Sequence, residues 1–393
     1  MKAITKYSFV LLAIALAFGS FNPFDLRGAG NISESVEEQR GLTPLLFGLC
    51  MVFTWCDDRV RQEFSVFKKY YTPLLALLLF YILSSVIFDI STAFSLMFVK
   101  LFVAFTGFIS YAIYFSLYPK NARSISLVFA GTCGIICASF FAGLLDGFYY
   151  FSNGRLWLWG ENPNSYSFVL GLGALILGHE ITKDIKNVYK YICGISILMI
   201  IAYAFMSGSR GTLICLGVGL LLLFIDFIKK HWAIFVVALV IALSWLNFFF
   251  SNYTEELSVF ERFNDLQEGD SRQVLIKNAM TLFYDSPFWG YGVNGYEYMK
   301  ETSFHDIRDS HNMLVSILAT SGLLGFTSIL CFFKRIIASI RTSFRNDKFA
   351  TALLVYVFLI SMKTGGIITY SMMWFAYALI LSNSLFNRND AKK

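Results

Sequence analysis

The stretch Ser310-His311-Asn312-Met313-Leu314-Val315-Ser316-Ile317-Leu318-Ala319-Thr320-Ser321-Gly322-Leu323-Leu324-Gly325 carries a polar loop into an apolar run. That run continues to Phe333 and stops at Lys334-Arg335. A stretch of ~20 mainly apolar residues is long enough to cross a hydrocarbon layer of ~30 Å as a helix. His311 stands where this span begins, in a chain with only 4 histidines. Imidazole takes up a proton near neutral pH, so a histidine at a membrane surface suits general-base work. Spacing alone leaves a second reading open, an interfacial polar residue that merely starts a helix.

The rest of the chain repeats this pattern. Of 393 residues, 56% are hydrophobic and 15% charged, with a mean hydropathy of +0.61. A soluble domain of this length is more polar. We read about twelve spans, near 7–22, 41–56, 72–89, 92–118, 124–145, 166–182, 188–206, 211–228, 231–250, 312–333, 349–363 and 365–386. The expectation is an all-α polytopic membrane protein. It has three segments: residues 1–250 with the first nine spans, a large hydrophilic loop over 251–311, and residues 312–393 with the last spans and a tail. An amphipathic helix is expected in the loop from Val274 to Tyr284. Lys2 and Lys6 before an apolar run read as a retained first helix, because no small-x-small cleavage site follows.

The net charge of +6 reports topology. Basic residues crowd alternate polar segments, among them Lys2–Lys6, Arg59–Lys69, Lys183–Lys190 and Lys334–Lys348. The intervening segments are poorer in them. The positive-inside rule then places both termini in the cytoplasm and the 251–311 loop with His311 outside. A basic excess spread this way does not point to nucleic acid. The 7 cysteines lie in or beside apolar spans, which suits neither a disulfide framework nor a zinc site.

Several outward features can carry chemistry. Ser207-Gly208-Ser209-Arg210-Gly211-Thr212 opens the eighth span. Small residues admit a ligand to the backbone, a helix amino terminus favours an anion, and guanidinium fits phosphate oxygens. An ordinary turn with a snorkelling arginine is the alternative. Arg272, ahead of the loop helix, is a second phosphate contact or a solvated charge. Asp285-Ser286-Pro287-Phe288-Trp289-Gly290-Tyr291-Gly292-Val293-Asn294-Gly295 either shapes a sugar surface or folds the loop back to the membrane. Asp309 is placed to orient the His311 ring. His305, Asp306, Asp309 and His311, or Asp265, Glu268 and Asp270, match no established ligand spacing, so no metal is expected. Lys100, inside the fourth span, either meets an anionic headgroup or pairs with a carboxylate such as Asp89.

Ser209-Arg210-Gly211, Arg272, Pro287-Phe288-Trp289-Gly290-Tyr291-Gly292, and His311-Asn312 with Gly322 and Gly325 together resemble the bacterial O-antigen ligase/polymerase family. Gly154-Arg155 through Asn162-Pro163-Asn164 is similar to a weaker element of that family. The resemblance implies a GT-C-like membrane glycosyltransferase acting outside the bacterial inner membrane, with its site facing the periplasm. It implies that Arg210 and Arg272 hold a diphosphate and that His311 activates an acceptor hydroxyl. Arg155, Lys100 and Asp309 are further candidate substrate contacts. The implied partners are an undecaprenyl-diphosphate-linked oligosaccharide and an acceptor glycan, either a lipid-linked repeat or lipid A-core. Membrane lipid and a chain-length regulator complete the set, and no cofactor is expected.

The chemistry is coherent on its own terms. A sugar on a diphosphate carries its leaving group, and arginines can neutralise the developing charge in place of a metal. A general base for the acceptor hydroxyl is worth ~10²–10⁴-fold. One displacement at the anomeric carbon, with inversion, is the expected step. Polymerase is preferred over ligase, because the loop lacks a large basic surface for a phosphorylated core. A transporter or flippase fits the span number, but no internal repeat is evident and Lys100 is the main charge within a span. A structural scaffold would not need Arg210, Arg272 and His311 on one side.

Overall fold

In the computed structural model the described residues are 2–19, 42–88, 96–152, 155–159, 161–233, 244, 268–293, 295, 310–341, 348–364, 368 and 370–390. Nearly all of the expected ninth span and much of the 251–311 loop, Asp309 included, lie outside them. The helices are α1 Lys2–Ala17, α2 Leu42–Trp55, α3 Asp58–Phe88, α4 Leu96–Leu117, α5 Pro119–Phe141, α6 Pro163–Ile181 and α7 Asn187–Met206. They continue as α8 Arg210–Leu223, α9 Ile225–Lys230, α10 Glu268–Asp285, α11 Met313–Arg341, α12 Phe349–Ser361 and α13 Ser371–Asp390. In lipid a backbone must satisfy its own hydrogen bonds, which is why apolar runs become helices here.

Among the described residues, α3, Phe98–Leu117 of α4, α5, α7 and α11 are long and apolar enough to cross a membrane. The protein is a helical, multi-pass membrane protein. One departure from an all-α chain is the antiparallel hairpin of β1 Tyr149–Ser152 and β2 Arg155–Leu158. Tyr150 stacks on Trp157 across it, ring centroids 5.9 Å apart. Short aromatic strands at two-residue periodicity are easily lost in a segment read as hydrophilic.

The chain divides into two compact units. The first contains Met1–Leu12, Leu42–Ile125 and Gln267–Lys393; the second contains Ala13–Gly41 and Ser126–Leu266. In the first, Trp374 of α13 packs on Phe105 and Phe108 of α4 and on Phe332 of α11, centroids 4.7, 5.8 and 5.8 Å away. The Tyr118 hydroxyl donates to Asp57 Oδ2 at 2.7 Å, joining the α4–α5 and α2–α3 turns. Helix α11 runs antiparallel to α3: the Arg335 guanidinium donates to the Lys69 carbonyl near one end, and Tyr81 meets Thr320 at 3.2 Å towards the other.

Helix α11 is broken at Gly322, where φ is 61° and ψ −164°. A break would orphan the carbonyls of Ala319 and Thr320 and the N–H groups of Leu323 and Leu324. The turn after α10 takes up all of them. Tyr291 N–H donates to Ala319 O at 3.2 Å, and Gly292 N–H to Thr320 O at 2.8 Å. Leu323 N–H donates to Pro287 O at 2.8 Å, and Leu324 N–H reaches Phe288 O at 3.5 Å. The backbones touch. A Cβ on Gly290, itself at φ +66°, would overlap Thr320 and Ser321; one on Gly322 would overlap Phe288 and Trp289. From α3, the Ser84 hydroxyl donates to the Trp289 carbonyl, and the Phe88 ring lies 4.7 Å from Tyr291. The Gly-rich turn thus folds the loop back onto the membrane helices, one of the two roles open from sequence.

In the second unit α6 is buried along nearly its whole length. Gly173 brings it close against Cys133 of α5, and Gly178 against Leu223 of α8, as small residues do between membrane helices. Asn162 caps α6 through Asn164 N–H at 2.9 Å, with Pro163 in the first turn.

Gly290→Ala should lower stability by roughly 2–4 kcal/mol, since it adds both a strained φ and an overlap with backbone that cannot yield. Thermal unfolding in detergent checks this; an unchanged midpoint would mean the turn does not clasp α11.

Candidate functional site

His311 is held by its neighbours. The Asn312 carboxamide accepts from Leu314 N–H at 3.1 Å and Val315 N–H at 3.2 Å, which caps α11. Ser310, 1% exposed, donates its hydroxyl to the Asn312 carbonyl at 3.0 Å and accepts from Asn312 N–H at 3.3 Å. Between them His311 is half-buried with φ 52°. Left-handed backbone is uncommon outside glycine, though histidine tolerates it better than most. The two readings from sequence are now separable: Asn312 starts the helix, so the cap does not require His311.

Arg272 lies inside α10, which begins at Glu268, rather than ahead of a helix starting at Val274. Polar residues over 268–273 hid the first turn from the hydrophobic pattern. Ala279 and Leu282 of α10 form one buried cluster with Ala319 of α11, and Val315 and Tyr291 pack against it. Arg272, on α10, and His311, two residues before α11, therefore belong to elements that pack side by side in the first unit. Lys100 is also in this unit, half-buried near the start of α4; its suggested partner Asp89 lies outside the described residues.

Arg210 and Arg155 belong to the second unit. Arg210 opens α8 and is half-buried. Ser209, at the N-cap position, makes no side-chain capping bond to the helix backbone. Its hydroxyl donates to Asn164 Oδ1 at 3.0 Å and lies 2.8 Å from Thr212 Oγ1. Ser207 and Ser167 meet at 2.7 Å. The Ser207–Arg210 turn is thereby tied to the Asn162-Pro163-Asn164 cap of α6. A helix start whose hydroxyl is engaged elsewhere, with an arginine in its first turn, has the chemistry of an anion site. Arg155 opens β2 opposite Ser152.

Among the described residues no group of three His, Cys, Asp or Glu side chains could hold a metal ion. Residues 195–330 match a family model described as O-antigen ligase.

This segment is O-antigen ligase-like.

It encloses Arg210, Arg272, His311, Gly322 and Gly325, and leaves out Lys100 and Arg155. The chain is also 28% identical over 189 residues to the teichuronic acid biosynthesis protein TuaE of Bacillus subtilis (strain 168). That likeness covers 44% of this chain and 38% of the relative's length.

Two features of the site were missed from sequence. Glu161, 7% exposed, is enclosed by Gly19 and Tyr166 just before the α6 cap. Nothing in its spacing marks it as buried. Ser316 and Thr320 follow Asn312 at intervals of four within the O-antigen ligase-like segment, a pattern that does mark one polar face on an apolar helix.

Asn312→Ala should cost about 1 kcal/mol through loss of the cap, while Asn312→Asp keeps the acceptor and most of the stability. Thermal unfolding of both variants measures it; equal losses would remove the capping role.

Proposed function

We propose that the protein transfers a glycan from an undecaprenyl diphosphate carrier to an acceptor hydroxyl on the outer side of the bacterial inner membrane. The acceptor oxygen attacks the anomeric carbon and the bond to the diphosphate breaks. His311 takes the hydroxyl proton, and Arg210 and Arg272 neutralise the departing diphosphate. Arg155 and Lys100 are assigned to substrate binding, and Asp309 to orienting the imidazole. Twelve spans, with both termini in the cytoplasm, complete the reading.

The observation that carries it is the O-antigen ligase match over 195–330, which holds all three main residues, with His311 in a strained backbone that capping does not require. Two contacts support the sidedness. Asp57–Tyr118 joins turns that the charge pattern puts inside, and Asn164–Ser209 joins turns that it puts outside.

Growth of a surface polysaccharide, a polymerase reaction, is our preferred form. A relative named for teichuronic acid biosynthesis supports a role in building such a polymer. The description of the matched family favours a second form, ligation of the finished glycan to lipid A-core. Reconstitution with purified lipid-linked repeat, with and without lipid A-core, separates them: polymer without the core supports polymerase, and product only with it supports ligase.

His311→Ala should lose glycan transfer, by ~10²-fold or more for a general base, with protein level and insertion unchanged. Arg210→Lys should also be poor, because an ammonium cannot make the forked phosphate contact. Product analysis in cells lacking the native copy reads both; normal product from the histidine variant removes the base. Activity should survive a strong chelator, and a loss restored by added metal would overturn the arginine-only mechanism.

A further inference from the structure

We propose that Tyr81, Thr320, Ser316 and Ser310 form a thread of hydroxyls that positions His311 for turnover. The inference rests on His311 being the general base. It concerns how a residue with no fixed helix of its own is kept in one place.

Before the Gly322 break, α11 is a short half-helix that starts beside His311. Asn312, Ser316 and Thr320 share one face of it. At the deep end, Thr320 Oγ1 donates to the Ser316 carbonyl at 2.7 Å. With its single proton committed there, Thr320 accepts from the Tyr81 hydroxyl at 3.2 Å. At the outer end, Ser316 N–H donates to the Asn312 carbonyl at 2.8 Å, and Ser316 Oγ lies 3.3 Å from Ser310 Oγ. Ser310 in turn bonds both the N–H and the carbonyl of Asn312. Both chain neighbours of His311 therefore end on the thread, which begins on a different helix, α3.

Back-bonding of Ser or Thr to the preceding turn is common in membrane helices and by itself means little. The Tyr81–Thr320 and Ser316–Ser310 bonds go beyond it, because each links separate turns or elements. The Tyr81–Thr320 bond is buried, so water does not compete for it, and Ser310 at the other end is 1% exposed. A left-handed histidine persists only where its surroundings hold it. Misplacing a reacting group by ~1 Å can cost ~10²-fold in rate.

The test uses the full chain in lipid vesicles with undecaprenyl-diphosphate-linked repeat from the native host. Ser310→Ala, Ser316→Ala, Tyr81→Phe, Ser316→Thr and His311→Ala are compared, with rates taken per folded protein across a pH series. The first three should lose about tenfold or more in kcat with KM changed less than about twofold, and should move the acid limb of the pH profile. Ser316→Thr keeps a hydroxyl and should recover most of the rate. Unchanged kcat in the alanine variants, or a loss confined to KM or to the folded fraction, overturns the thread while an inactive His311→Ala leaves the base in place. An active His311→Ala overturns the base itself, and the thread with it.

Discussion

The exchange of hydrogen bonds at Gly322 is the constraint on which the first unit depends. A helix cannot be interrupted among membrane helices unless the groups it frees find other partners, since no water is there to take them. From the level of Lys69 and Arg335 to that of Ser84, α3 rises ~22 Å, well within a hydrocarbon layer of ~30 Å. At that level the loop turn supplies two acceptors and two donors to match the break. Glycine is required on both sides, because the two backbones meet where any Cβ would stand.

This arrangement determines what the loop can do. A hydrophilic insert would ordinarily be a mobile surface feature. Here the turn that follows α10 is fastened to α3 and α11 through Trp289, Tyr291 and Gly292. Helix α10 is then carried against the first turns of α11, so the element bearing Arg272 and the element preceded by His311 share a buried cluster. Positioning by fixed elements, rather than by loop closure, suits the proposed reaction, whose leaving group is already good and whose main demand is charge stabilisation.

The second unit solves a similar problem with side chains. Its small-residue turn before α8 is held by serine hydroxyls and by the α6 cap, not by backbone exchange. The start of α8, with the half-buried Arg210, supplies the cationic chemistry of the turn. The O-antigen ligase match reaches across this turn, Arg272 and His311 alike.

Much was legible in the sequence. Hydropathy marked the helices, because apolar runs of spanning length have one stable form in lipid. Basic clusters and motif order supply the proposed sidedness and the proposed roles of Arg210, Arg272 and His311, and the matched segment 195–330 contains all three. The start of α10 lies outside the hydrophobic pattern, because polar residues carry no hydrophobic period, and the hairpin leaves little trace because its strands are only four residues long. The role of Pro287–Gly292, the burial of Glu161 and the partners of the α11 hydroxyls are decided by tertiary structure alone. Each depends on which distant backbone or side chain completes a hydrogen bond, and sequence order does not contain that partner. Composition settles that polar groups in such a chain must be satisfied; only the packed fold settles by whom.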